Sequence, residues 1–277
     1  MKSLWMRQIA AVLRLEMKKT FFSRRGWWIY CLAAAPVCIT LLHWIVMARL
    51  RPGVGAGHRL GDDSIVFAGL FQFFYLRAVI FFGSMGIFSN LFRGEMLEKT
   101  LHYYFLTPLR REFLVIGKYL SGLSVALVLF VGSTALAFLT LARHFGPAWS
   151  DYLYHGPGMR QLGDYMLVAA LACVGYGAVF LLCGLVFRNP MIPAAVVFVW
   201  ENLNPFLPTL LKKISVIFYL RSLCPVEVPV PPPFNIMVID ADPTPAWLAI
   251  PGLLVLSMIV LAYTAVSARQ TEINYGE

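Results

Sequence analysis

The sequence predicts an all-α integral membrane protein, and three observations carry that prediction. Hydrophobic residues make up 59% of the 277 positions and charged residues only 13%, with a mean hydropathy of +0.71. A soluble domain carries roughly a quarter charged residues. The apolar residues gather into runs of about 20, the length that crosses a bilayer as helix. Lysines and arginines flank those runs, so the net charge of +9 reads as membrane topology and not as nucleic-acid binding.

Residues 1–26 come before the first such run. Met6, Ile9, Ala10, Leu13 and Met17 recur at helical spacing, while Arg7, Arg14 and Lys18 share another face. A basic amphipathic helix of this kind lies in the membrane interface. Trp5, Phe21 and Phe22 add membrane-seeking aromatics; a solvated arm is the plainer alternative. The segment does not read as a secretory leader, because its charged part and the apolar run behind it are too long and no small-residue cleavage site follows.

Six spans are expected in a single transmembrane domain, 27–268. The first is 27–47, opened by Arg24, Arg25 and the interfacial pair Trp27 and Trp28. The second is 65–89. The third is 113–141, where Gly117, Ser121, Gly122, Gly132 and Ser133 permit close helix packing. The fourth is 165–187, and a tight turn at Arg188, Asn189 and Pro190 leads to the fifth, 191–211. The sixth is 246–266, followed by a polar tail, 269–277. With the N-terminus inside, about 14 of the 23 lysines and arginines lie on the cytoplasmic side and about 8 outside. Both termini are then cytoplasmic.

On that side, between spans two and three, residues 94–107 read as an amphipathic helix. Glu95 and Lys99 stand at i and i+4 in the stabilising order. Leu97, Leu101 and Tyr104 make one apolar stripe, Pro108 stops the helix, and Arg110 and Arg111 anchor the start of the third span. A solvated loop helix and a docking element both fit this pattern.

The surrounding stretch, "FRGEMLEKTLHYYFLTPLRREFLVIGKYL", resembles the signature of ABC-2 type transporter permeases. The matching positions are Glu95, Lys99-Thr100-Leu101, Thr107-Pro108-Leu109, Arg111, Phe113-Leu114 and Gly117-Lys118, with Lys99 standing where that family usually has glycine. Arg14, Glu16, Lys19 and Arg25 are similar to the pattern of its cytoplasmic N-terminal helix. The resemblance implies a permease that moves substrate, more often outward, by alternating access, in a multi-pass plasma membrane setting such as a bacterial inner membrane. It implies two partners besides membrane lipid: a separate ABC ATPase subunit and a second permease copy or paralogue. Glu95, Glu98, Lys99, Thr100, Pro108, Arg110 and Arg111 would be the coupling residues, docking exposed charges into the ATPase. ATP and Mg would belong to that partner, and no cofactor is expected in this chain. The glycine-rich "RPGVGAGHRLGDDS" lacks the GK[ST] ending of a P-loop and reads as a turn between spans one and two.

Inside the apolar runs a few polar residues stand out. Arg77 sits in the middle of the second span, where a charge must face protein or water. Either it fixes packing or it lines a translocation path. Glu201, Asn202 and Asn204 interrupt the fifth run, and Pro205 and Pro208 follow. Such a break predicts a short fifth span and then re-entrant helices within 205–245 on the outer side, a region that resembles the external gate of ABC-2 exporters. Arg77, Glu201, Asn202 and Asn204 are therefore the candidate path or gate residues, and Glu201 is placed either beside Arg77 as its ion-pair partner or near the gate. The outer "CPVEVPVPPPF" is a semi-rigid spacer.

No metal site is expected. His144, Asp151 and His155 share an outer loop, but their spacing fits no standard ligand set. The five cysteines are scattered without CxxC spacing and read as apolar core thiols. Two other function classes stay open on the residues alone. One is a non-transporting membrane scaffold coupled to an ATPase. The other is a membrane-embedded enzyme, for which the dispersed histidines supply no HExxH or paired acidic motif.

Overall fold

The computed structural model describes residues 13, 14, 16, 17, 26–50, 60–98, 111–228 and 244–270. Among these residues the regular structure is entirely helical. In chain order the helices are α1 (Trp27–Leu50), α2 (Leu60–Leu97), α3 (Arg111–Phe145), α4 (Pro147–Tyr154), α5 (Gly158–Val186), α6 (Met191–Leu203), α7 (Thr209–Lys212), α8 (Val216–Ser222) and α9 (Ala246–Gln270). Five of them, α1, α2, α3, α5 and α9, are long and apolar enough to span a membrane.

The bundle is built around α5. Its sequence is apolar on every side, which is the pattern of a helix surrounded by others. Val168, Ala172, Tyr176 and Phe180 are fully buried, and α5 packs on α2, α9 and α3. Glycines set how closely α2 and α5 approach. A Cβ on Gly184 would lie 2.5 Å from the Ser89 carbonyl oxygen, and one on Gly177 would strike the Phe88 ring at 2.5 Å. By contrast α1 and α9 bury only one face, and Trp27, Leu42, Trp247, Met258, Ile259 and Tyr263 stand exposed. Such apolar faces suit lipid or another subunit.

Two helices widen in mid-course. Leu70–Ile80 of α2 and Leu127–Val131 of α3 are π-helical, a rare geometry that recurs at functional sites. The two wide stretches touch. Tyr75 donates its hydroxyl hydrogen to the Phe130 carbonyl, which also accepts from the Thr134 hydroxyl at 2.8 Å.

The expected fifth span differs from the other five. Met191–Leu203 is only 13 residues, about 20 Å of helix against a hydrocarbon core of about 30 Å. The chain then turns through a single 3-10 turn, Asn204–Phe206, and continues as the short helices α7 and α8. The predicted break at Pro205 and Pro208 is thus present, and the straight run 191–211 is not. The second span also extends further than the apolar run, and Gly94–Leu97 are its last turn and not the start of a separate helix. The rest of the expected coupling helix lies outside the described residues, as do most of the N-terminal arm, 229–243 of the proline-rich segment and 271–277 of the tail.

Candidate functional site

At one end of the bundle, three charged residues from three parts of the chain converge. Lys118, on the first half of α3, is fully buried. Its Nζ lies 2.6 Å from Glu16 Oε1, 2.8 Å from Glu95 Oε2 and 2.8 Å from the Leu91 carbonyl oxygen. The ammonium also sits 5.4 Å from the centre of the Phe92 ring. Glu16 and Glu95 are each about 1% exposed. Charges this deep persist only when paired. The cluster therefore ties the N-terminal arm, the end of α2 and the start of α3 to one another.

This burial corrects the expectation for Glu95. An exposed carboxylate was needed for docking, but α2 continues through Glu95 and turns it into the bundle toward Lys118. Glu98, one turn on, is exposed at the C-terminus of α2. Arg111 is also committed internally: its guanidinium donates to the Ala268 and Arg269 carbonyls at 3.1 and 2.9 Å. A cation there suits the negative end of the α9 helix, and Glu112 pairs with Arg269 alongside it. Lys99, Thr100, Pro108 and Arg110 lie outside the described residues.

Halfway along α2, Arg77 and Glu201 turn out to have separate roles. Arg77 donates from Nη1 to Asn202 Oδ1 at 2.9 Å and lies over the Phe73 ring at 5.7 Å. Asn202 in turn donates to the Phe198 carbonyl at 2.8 Å. The expected ion pair with Glu201 is replaced by this link to its neighbour. Glu201 instead serves as a remote cap for α8. Its carboxylate accepts from the Val216 and Ile217 amides at 3.0 and 2.8 Å, from the Ser215 hydroxyl at 2.9 Å and from the Tyr176 hydroxyl at 3.3 Å. The first amides of a helix have no partner within it, and a carboxylate satisfies them in charge and geometry. Asn204 acts at the opposite end of α7, donating to the carbonyl of its last residue, Lys212, at 3.2 Å.

The wide stretch of α2 holds this broken segment at two points. Besides Arg77, Gln72 donates from Nε2 to the Val226 carbonyl at 2.7 Å. The segment that follows the shortened helix is thus anchored to α2, α5 and itself by side chains from inside apolar runs. Glu16, Lys118, Gln72, Tyr176 and Ser215 were not singled out as site residues by the sequence. A buried lysine one turn into an apolar span, like Lys118, is the signal that was open to reading.

A scan against protein-family models finds no match to this chain, and a search of curated proteins finds none.

Proposed function

We propose that this chain is the permease subunit of an ABC-2-like transporter, exporting substrate by alternating access under the drive of a separate ATPase chain. The observation that carries the reading is the meeting of Glu16, Glu95 and Lys118. All three belong to the two stretches that resemble the family, and they stand 102 and 23 positions apart in pairs by sequence number. A cluster that ties the N-terminal arm to the ends of α2 and α3 also brackets residues 99–110. Displacement of that stretch by an ATPase would then be transmitted to two long helices together.

In this reading the end of the bundle with Lys118 faces the cytoplasm, where the ATPase holds its own ATP and Mg. The short α6 and the helices α7 and α8 form the fifth, incomplete crossing, re-entrant from the outer side and fixed by Glu201. Arg77 and Asn202 would position that segment as it moves. The exposed apolar faces of α1 and α9 accept lipid and a second permease copy or paralogue. Glu98, exposed at the end of α2, is offered for docking in place of Glu95, together with Arg110 as the sequence pattern implies.

The test is co-purification with candidate ATPase subunits together with ATPase activity in reconstituted vesicles. Wild-type chain should associate and stimulate hydrolysis, and Glu98→Arg combined with Arg110→Glu should lose both while the chain remains folded. Association without substrate movement would favour a coupled scaffold. Failure to associate with any ATPase would sink the proposal.

A further inference from the structure

At the other end of α2 from Lys118, a second polar cluster has a different chemistry. His43 of α1, Asp63 of α2 and His144 of α3 each offer one ligand atom, and these atoms all lie within 4.8 Å of one another. His43 Nε2 is 3.4 Å from Asp63 Oδ1, and His144 Nε2 is 3.5 Å from Asp63 Oδ2. The two imidazole rings meet edge to face, with centres 5.7 Å apart. We propose that these three side chains form a binding site for a divalent transition-metal ion of the zinc class.

The spacing supports a metal over a plain hydrogen-bonded pair. Two donors on a tetrahedral zinc ion, each about 2.0–2.1 Å from it, stand about 3.3 Å apart. The separations of 3.4 and 3.5 Å, each to one of the two Asp63 oxygens, are close to that value, and the three ligand atoms as a set lie within 4.8 Å of one another. The contact between His43 Nε2 and the carboxylate does not form a hydrogen bond. Each nitrogen faces a different oxygen of the same carboxylate, which brings both imidazoles to one acidic group. Two imidazoles and a carboxylate are a donor set for zinc, cobalt, nickel or copper, while calcium and magnesium prefer oxygen alone.

Burial and topology point the same way. Asp63 is 1% exposed, and a carboxylate so deep is stabilised by a neighbouring positive charge. A divalent ion beside it and the two imidazoles would be held by that carboxylate's charge. The His43 side chain is 24% exposed, which leaves the cluster open to ions from one side. Three protein ligands leave a fourth position for solvent. The ion would staple the ends of three spanning helices, and Arg143, stacked over Trp44 at 5.6 Å, already joins the residues next to two of the ligands.

His155 and Asp151 make a useful contrast. They too are close, 3.2 Å apart, but both are about four fifths exposed on one helix end, and among the described residues no third ligand joins them.

The experiment uses the full chain in detergent, purified on a tag free of histidine and stripped with a chelator. Co2+ is titrated as the spectroscopic probe and Zn2+ as its competitor. Wild type should bind one Co2+ per chain with tetrahedral visible absorption, be displaced by Zn2+, and melt at a higher temperature with Zn2+ than with chelator. His43→Ala and Asp63→Asn should weaken Co2+ binding by more than the roughly 10- to 100-fold that loss of an outer-shell partner costs. His155→Ala should bind as wild type. Asp63→Asn keeps the side-chain shape, and its elution as a single species would separate loss of a ligand from loss of fold. No binding by wild type at micromolar Co2+, or equal binding by the three variants, overturns the site.

Discussion

Replacing Lys118 with methionine isolates the charge at the inner cluster from its packing. Methionine has a similar length and the same unbranched stem, so the volume against Phe92 is kept and only the ammonium is lost. What remains is two carboxylates, each about 1% exposed, that had been 2.6 and 2.8 Å from one cation. Removing one member of a buried pair costs about 3–5 kcal/mol, because the partner's charge stays in place without compensation. The Leu91 carbonyl loses a charged donor as well, and such bonds are worth about 1.5–3 kcal/mol. These contributions overlap, so the expected loss is about 4–5 kcal/mol, a large share of a typical stability of about 5–15 kcal/mol. Equilibrium unfolding in detergent, followed by circular dichroism, measures it.

The sign of a second substitution decides the cause. Adding Glu95→Gln to Lys118→Met removes one of the two carboxylates that faced the lost cation and should recover about 1–2 kcal/mol, although Glu95→Gln alone destabilises. A Lys118→Met protein within about 1 kcal/mol of wild type would refute the reasoning, as that is the range of a solvent-screened pair. So would a double variant less stable than Lys118→Met.

Two further outcomes follow from the packing of the core. Glu201→Ala should release the start of α8, raising amide exchange at Val216 and Ile217 by about 10- to 100-fold, since two amides and two hydroxyls lose a buried acceptor worth about 1–3 kcal/mol each; unchanged exchange by mass spectrometry would show that α8 is held by other means. Gly184→Ala should cost about 1–3 kcal/mol, because its Cβ would meet the Ser89 backbone at 2.5 Å and neither helix has a side chain there that can yield; stability equal to wild type would mean that α2 and α5 are not in close backbone contact.

Much of the architecture was legible because the bilayer leaves few choices. Long apolar runs must be helices, and the five long ones lie where hydropathy places them. The break near Pro205 was legible for the same reason, as proline removes an amide that the helix needs. What hydropathy hides is partnership. Glu95 sits on the side of α2 that its i+4 neighbour Lys99 seemed to explain, yet its cation comes from Lys118, 23 residues on. Glu201 was expected beside Arg77, but four donors from α5 and the start of α8 claim its carboxylate first. His144 read as part of a loop with Asp151 and His155, while its neighbours in space are 101 and 81 positions away. Local spacing reports the face of a helix and not what stands opposite.

That opposite face depends on the wide stretch of α2. Asp63 lies before Leu70–Ile80, Gln72 and Arg77 lie within it, and Glu95 lies after it, and each meets different partner residues. Helical propensity gives no reason for π geometry over eleven apolar residues, since the wider turn is the less favoured one. Packing must hold it, and Tyr75 bonded to Phe130 in the matching stretch of α3 is the contact best placed to do so. Deleting Leu70 tests this. The deletion narrows the stretch toward ordinary α-helix, a local gain, but turns everything after it by about 100° relative to everything before. Asp63 and Glu95 then cannot both face their partners. The deleted chain should therefore be markedly less stable than wild type and should lose either the Asp63 contacts or the Glu95 contacts, read by crosslinking of cysteine pairs placed across each. A deletion that leaves stability and both sets of crosslinks intact would show that the wide turns absorb the change, and that the phase between the two ends of α2 is not fixed by them.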